Sequence, residues 1–124
     1  MEQVPNPGDV NYRLVRARTL HEYAAGELTR SEVCDAQPEL RRNAEHCGVP
    51  TGETCPICTD DRELVHVTYV FGARLPAHGR CITTLAELER LRSHKATYTG
   101  YLVEVCKHCG WNHMTRSYPL GGAA

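Results

Sequence analysis

The sequence predicts an α+β protein: a zinc-ribbon-like small antiparallel β-sheet with an inserted helix, preceded by an N-terminal helical segment. Apolar residues recur at helical spacing in the first part of the chain, and strand-like runs with a single helix fill the remainder. Two Cys-x-x-Cys units stand beside two of these runs. We therefore divide the chain into an N-terminal helical segment, residues 1–48, and a zinc-ribbon-like domain, residues 49–124.

Length, charge and cysteine content limit the classes of protein. A chain of 124 residues fits one domain, or one small domain with an appendage. The formal net charge of -1 argues against a free-standing nucleic-acid binder, because such proteins usually carry a clear basic excess. The first residues lack the pattern of a secretory signal, and no run approaches the roughly 18 apolar residues of a membrane span. We expect a soluble, cytoplasmic protein, in which seven cysteines favour metal binding over disulfides.

The N-terminal segment contains two predicted helical stretches. The first runs from about residue 12 to residue 25, with Tyr12, Val15, Thr19 or Leu20, and Tyr23 as its buried stripe. A capping box at Thr29 opens the second stretch, which Pro38 divides into a short turn and a helix. Residues 48–52 contain two glycines and a proline, and they predict a loop at the domain boundary.

The second part of the chain predicts three strands and one helix. Residues 64–71 alternate between two faces, and residues 97–105 and 111–118 follow as further strands. A capping box at Thr84 opens a helix that lies between the first two strands, with Leu85 on its inward face. This order predicts an antiparallel sheet with a helix inserted in the chain between its first two strands.

The two Cys-x-x-Cys units predict a metal site. They comprise Cys55 with Cys58 and Cys106 with Cys109, and 47 residues separate the units. Two intervening residues let both thiolates of a unit face one point, and zinc takes four such ligands in a tetrahedron. We predict one structural Zn²⁺ bound by these four cysteines; the alternative is two unrelated cysteine pairs that line a core.

The residue after each unit bears on the geometry of the turn. Gly110 follows the second unit, where a tight turn often needs a positive φ. Thr59 holds this place after the first unit, and a β-branched residue is poorly suited to it. We therefore expect either a distorted first turn or a turn in which Asp60 takes the special conformation.

Three further cysteines lie outside the two units. Cys34 is predicted to be a small core residue, as free cysteines commonly are. Cys47 precedes the first unit closely enough to be an alternative ligand, or to form a second site with His46. Cys81 ends a loop and is the candidate reactive thiol.

A basic surface and a tryptophan are the candidate partner contacts. Residues 72–82 carry positive side chains and no acid, and the following helix adds more. They favour an acidic partner or a phosphate backbone, with scattered solubilising charge as the alternative. The only tryptophan either anchors a partner or shields the metal. The predicted partner-binding residues are Arg74, Arg80, Arg90, Arg92 and Trp111.

Several short runs resemble a known family. They are NAEHCG at residues 43–48, CPIC at 55–58, VTYV at 67–70, VEVC at 103–106 and CGWNH at 109–113. Together they resemble an uncharacterised actinobacterial family, classed as a domain of unknown function, with a zinc-ribbon-like four-cysteine site. The family pattern has glycine where this chain has Thr59. The resemblance implies no established activity.

The leading functional hypothesis is a non-catalytic, zinc-stabilised interaction module. Zinc ribbons often dock on the transcription or translation machinery, so RNA polymerase or the ribosome is the first candidate partner. The alternatives are a direct nucleic-acid-binding zinc ribbon and a thiol redox or zinc-release switch. We expect neither an enzyme nor a small-molecule substrate, because four thiolates leave the zinc no open position.

Overall fold

Four helices and six strands make up the part of the chain that the structure, a computed structural model, describes: residues 8–60 and 62–122. In chain order they are β1 (Val10–Asn11), α1 (Arg13–Ala24), α2 (Arg30–Val33), α3 (Pro38–Cys47), β2 (Val49–Thr54), β3 (Glu63–Gly72), β4 (Arg80–Cys81), α4 (Leu85–Arg92), β5 (Thr97–Cys106) and β6 (Asn112–Gly121). The predicted α+β class is confirmed. Each of these helices is too short or too polar to cross a lipid bilayer.

The strands form one antiparallel sheet in the order β1-β6-β5-β3-β2, and β4 pairs with part of β3. The three long strands β3, β5 and β6 are those predicted from the sequence. Strands β3 and β5 pair along their whole length, with Leu64 opposite Cys106 and Gly72 opposite Tyr98. One cysteine unit precedes β3 and the other follows β5, so this register brings both units to the same end of the sheet.

The loop predicted at residues 48–52 is wrong, because this region forms edge strand β2. β2 pairs with β3 through Val49, Pro50 and Thr54, with an irregularity between the last two. Proline and glycine are tolerated at an edge, where one side of the strand needs no ladder hydrogen bonds. Strands β1 and β4 have two residues each, which is too short to leave a periodic signal.

Helices cover both faces of the sheet. α3 packs through Leu40 and Ala44 on the face of Val65, Val67 and Val105. α4 packs on the opposite face, in a cluster with Val70, Ile82, Tyr98, Tyr118 and Leu120. This division follows from the alternation of side chains along each strand.

Two predicted inward residues point outward instead. Val15 is 53% exposed and Leu85 is 81% exposed. In α1 the half-buried residues are Arg16, Thr19, Leu20, Glu22 and Tyr23. The predicted stripe is therefore right at Leu20 and Tyr23, which pack against the core, whereas Arg16 and not Val15 faces the sheet. The predicted capping box of α4 does form, since the Thr84 hydroxyl accepts a hydrogen bond from the Glu87 backbone N–H.

The N-terminal segment packs on the sheet. β1 pairs with β6. Val33 shares a buried cluster with Cys55, Ile57, Leu64, Cys106 and Trp111, and Leu20, Tyr23 and Leu28 pack against it. The division of the chain after residue 48 stays a prediction, but the two parts share this cluster.

Candidate metal centre

The four predicted ligand sulfurs come together at one end of the sheet. The Sγ atoms of Cys55, Cys58, Cys106 and Cys109 all lie within 4.8 Å of one another. Those of Cys55 and Cys109 are 3.7 Å apart, and those of Cys58 and Cys106 are 3.9 Å apart. A disulfide requires about 2.05 Å, so these are free thiols placed around a common point. They form a group that can hold a metal ion.

The two cysteine turns have the same backbone geometry. The N–H of Thr59 donates to the carbonyl of Cys55 at 3.1 Å, and the N–H of Gly110 donates to the carbonyl of Cys106 at 3.0 Å. Both residues have positive φ, 55° at Thr59 and 92° at Gly110. The prediction that Asp60 takes the special conformation is therefore wrong. In both turns the residue after the second cysteine adopts the positive φ, although it is threonine in one turn and glycine in the other.

Gly110 is also required by a close approach of two other elements. A Cβ atom at this position would collide with the guanidinium of Arg41 and would lie 3.1 Å from the carbonyl oxygen of Cys34. Arg41, on α3, donates from Nη2 to the Cys109 carbonyl at 3.2 Å. The second cysteine turn is thus held against the N-terminal segment.

Backbone and side-chain donors point at the sulfurs. Cys55 Sγ accepts from the N–H groups of Ile57 at 3.4 Å and Cys58 at 3.5 Å, and Cys109 Sγ accepts from the N–H of Trp111 at 3.3 Å. Arg30 Nη2 approaches Cys58 Sγ at 3.9 Å. Hydrogen bonds to a thiolate favour its charged form, so these donors support a cluster of anionic ligands.

In the chain without metal, most of these thiols hold their protons tightly. Burial raises the pKa of Cys55 and of Cys58 to about 11 and that of Cys109 to about 12. Burial also acts to raise the pKa of Cys106, but hydrogen bonds from the backbone N–H groups of Cys109 and His108 outweigh it, so that pKa is lowered. A metal ion must therefore displace protons as it binds.

Trp111 lies inside the molecule, beside the cysteines. It is 1% exposed and packs in the cluster that contains Cys55 and Cys106. Its Nε1–H donates to Glu104 Oε2 at 2.7 Å, and Arg16 Nε donates to the same oxygen at 2.9 Å. The predicted role of Trp111 as a partner contact does not fit this burial, whereas the alternative of shielding the metal site does.

The network around Glu104 was missed by sequence reasoning. Glu104 is 4% exposed, and it stands between two valines in an otherwise apolar stretch of β5. That interruption was the available signal. Arg16 belongs to a run of arginines on α1 that predicts a solvated helix face. Nothing in the sequence indicates that one of these side chains points inward.

The predicted basic residues lie at the other end of the sheet. Arg80 and Arg90 line a small cavity of about 190 Å³ together with Leu75 and Leu91. Arg80 is opposite Val70, near the end of β3 that is far from the cysteines. The separation along the strand is roughly 20 Å at about 3.3 Å per residue. Trp111 therefore does not belong to this surface.

Part of the basic surface is neutralised. Arg80 donates to both carboxylate oxygens of Glu87, at 3.0 Å and 3.1 Å, and Arg92 pairs with Glu89 at 3.2 Å. Arg74 is exposed and has a φ of 68°. The arginines are exposed as predicted, but the acids of α4 offset two of them.

The three remaining cysteines have distinct surroundings. Cys34 packs against the buried cluster that contains Cys55 and Cys106, and its thiol acts with burial to raise the pKa of Cys109. Burial, followed by the neighbouring Cys47 thiol, raises the pKa of Cys81 to about 12. Such a thiol stays protonated, so the prediction of a reactive Cys81 is not supported. Cys47 is not one of the four clustered ligands.

Comparison with known proteins places the chain in a family. The model of DUF5318, a family of unknown function, matches residues 6–124. An uncharacterised protein of Mycobacterium bovis and one of Mycobacterium tuberculosis strain H37Rv are each 40% identical over 114 residues, which is 92% of this chain and 82% of each relative. No solved structure matches the chain. The predicted resemblance to an uncharacterised actinobacterial family is confirmed, and the chain belongs to the DUF5318 family.

Proposed function

We propose that this protein is a non-catalytic interaction module whose shape is maintained by one structural Zn²⁺. The spacing of the cysteine sulfurs carries this proposal. A tetrahedron with zinc–sulfur bonds of about 2.3 Å has sulfur–sulfur edges of about 3.8 Å. The separations of 3.7 Å and 3.9 Å agree with that value.

The donor set favours zinc in a closed, structural role. Four thiolates suit zinc, copper(I) and iron–sulfur chemistry, and a mononuclear tetrahedral sulfur site is typical of structural zinc. A fourth protein ligand leaves no position for a bound water or a substrate, which is the position a catalytic zinc keeps open. We therefore propose that the protein is not an enzyme.

The partner is proposed to be a protein with an acidic surface. Residues 74–95 contain five Lys and Arg against two Glu, a local charge of +3. Arg74 and Arg90 are both exposed and take part in none of the salt bridges among the described residues. RNA polymerase and the ribosome, both cytoplasmic, are the first partners to test.

Affinity purification from native lysate tests the partner, with charge reversal as the variant. The bait is the full chain, compared with Arg74→Glu/Arg90→Glu and with Arg42→Glu as the matched control, since Arg42 is exposed on α3 and lies outside the basic surface. Polymerase or ribosomal proteins that survive nuclease, are lost in the double variant and are retained by the control would support the proposal. Loss on nuclease treatment would favour direct nucleic-acid binding instead.

A redox switch is a second candidate, favoured by the position of Cys34, which packs against the same buried cluster as Cys109. A peroxide would take two electrons from the Cys34 thiol and the zinc-bound Cys109 thiolate, forming a disulfide, one water and one hydroxide and removing one zinc ligand. Release of zinc on peroxide treatment that is slowed in Cys34→Ser would support this function. Release at the same rate in wild type and Cys34→Ser would assign the oxidation to the ligand cysteines alone.

A further inference from the structure

We infer that a polar cavity between α1 and the sheet binds a small molecule through a phosphate or carboxylate group. The cavity has a volume of about 400 Å³ and is separate from the four sulfurs. Its arginine, glutamate and histidine lining residues are Arg13, Arg16, Arg116, Glu53, Glu104 and His66. Arg16 and Glu104 also belong to the network beside Trp111, and neither the metal centre nor the basic surface accounts for the other members of this set.

Arg116 carries the inference because its half-buried guanidinium lines the cavity and takes part in none of the salt bridges among the described residues. Its Nε atom is buried and has no hydrogen-bond partner among the described residues. Its guanidinium lies over the ring of Tyr118, 4.4 Å from the ring centroid. A partly buried guanidinium without a carboxylate partner has lost hydration without compensation, and an anion that enters the cavity would supply that partner.

The charges around the cavity favour an anion. Three arginines face two glutamates there. Glu104 is already occupied, since its Oε2 accepts from Arg16 and from Trp111. Glu53 is exposed on edge strand β2. Arg13 and Arg116 are therefore left with only the peripheral Glu53 as an acidic group of the cavity lining.

The shape of the donors defines the chemical class of the ligand. A guanidinium presents paired N–H groups that match the oxygens of a carboxylate or a phosphate. His66, half-buried and directly opposite Glu104 on the neighbouring strand, adds a ring nitrogen. The volume lies in the range of about 300–1,000 Å³ that is typical of small-molecule sites. A compact metabolite with one oxyanion group fits these features.

Titration of the metal-loaded full chain with inorganic phosphate, and separately with succinate, tests the inference. Amide chemical shifts are followed at constant ionic strength, with NaCl replacing the anion. We expect saturable shifts around residues 66, 104 and 116 with at least one of the two anions. The anion that binds more tightly identifies the group, phosphate or carboxylate.

Two variants of the central arginine and one control complete the test. Arg116→Gln should weaken binding at least about tenfold, because a charge-assisted pair of hydrogen bonds is lost. Arg116→Lys keeps the positive charge but loses the paired N–H groups of the guanidinium, and it should also weaken binding because a lysine cannot donate to two oxygens in the same plane. Arg42→Gln, on the other face, should bind as wild type does. Absence of saturable shifts with both anions, or equal binding by wild type and both Arg116 variants, would overturn the inference.

Discussion

At the scale of single residues, the two cysteine turns require the same backbone conformation of two different residues. Thr59 and Gly110 both adopt positive φ. The left-handed conformation costs a residue with a Cβ about 1–2 kcal/mol, and glycine avoids that cost. At Thr59 a hydrogen bond from the hydroxyl to the Cys58 carbonyl, at 2.7 Å, offsets part of the strain. The first turn is therefore the more strained of the two.

Substitutions at these two positions should have opposite effects. Thr59→Gly should raise the free energy of unfolding by about 0.5 kcal/mol, since relief of the strain exceeds the entropy cost of glycine only slightly. Gly110→Ala should lower it by about 2 kcal/mol, because the new Cβ meets both strain and the Arg41 guanidinium. Urea unfolding of the metal-saturated chains measures both values. An unchanged stability of Gly110→Ala would contradict the described turn.

Replacement of one ligand should abolish stable metal binding. In Cys58→Ser the site has three thiolates, and we expect less than stoichiometric metal after purification and a loss of several kcal/mol from the roughly 10–16 kcal/mol that structural zinc can contribute. Cys47→Ser is the control, because Cys47 is a half-buried cysteine outside the four-sulfur group. Elemental analysis gives the metal content per chain. One metal ion per chain in both variants would exclude Cys58 as a ligand.

At the scale of elements, α1 is attached to the sheet by a polar contact rather than by an apolar stripe. No residue of α1 is fully buried. Arg16 reaches Glu104 on β5, and the side chains are 27% and 6% exposed. Since Glu104 also accepts from Trp111, one carboxylate links the helix, the sheet and the tryptophan beside the cysteines.

Removal of the arginine should loosen α1. Arg16→Ala leaves the buried carboxylate of Glu104 without this charged partner, and we expect the free energy of unfolding to fall by about 2 kcal/mol. This is less than the roughly 3–5 kcal/mol lost when a fully buried pair is broken, because Arg16 is partly exposed. Arg18→Ala is the matched control: Arg18 pairs with Glu22 on the surface of the same helix, and its loss should change stability by less than about 0.5 kcal/mol. Similar effects of the two substitutions in urea unfolding would refute the anchoring role.

The elements also show how far sequence reasoning reaches. The long strands and α4 could be predicted because alternation and capping boxes extend over enough residues to be read. β2 could not, since Pro50 and Gly52 resemble a loop and only the pairing with β3 makes the segment a strand. The four cysteines followed from local spacing. Arg30, Arg41 and Cys34 reach the same site through tertiary packing, which no local pattern records.

At the scale of the whole molecule, metal binding is linked to pH. The metal-bound thiols are deprotonated, whereas without metal the pKa values of Cys55 and Cys58 are about 11 and that of Cys109 is about 12. The proposed metal-bound state is thus favoured at high pH, and its stabilisation decreases progressively as the pH falls below about 11, where these thiols take up protons in the metal-free chain.

At least three protons displaced per metal ion, from Cys55, Cys58 and Cys109, predict a steep pH dependence. The apparent affinity for Zn²⁺ should fall at least about a thousandfold for each unit of pH between pH 8 and pH 6, because these three thiols are protonated there in the metal-free chain. Competition with a chelator of known affinity at pH 7.5 and pH 6.5 measures the change. A difference below about tenfold would mean that the thiols are already ionised before the metal arrives.

The two ends of the sheet are stabilised by different means. At one end the four cysteines form, beside Trp111, a group that can hold a metal ion, and at the other Val70, Tyr98, Tyr118 and Leu120 form an apolar cluster under α4. A chelator acts on only the first of these. Amide hydrogen exchange after chelation should therefore accelerate first near residues 55–58 and 106–111 and only later near residues 98–100. The antiparallel pair of β3 and β5 would then unfold progressively from its cysteine end.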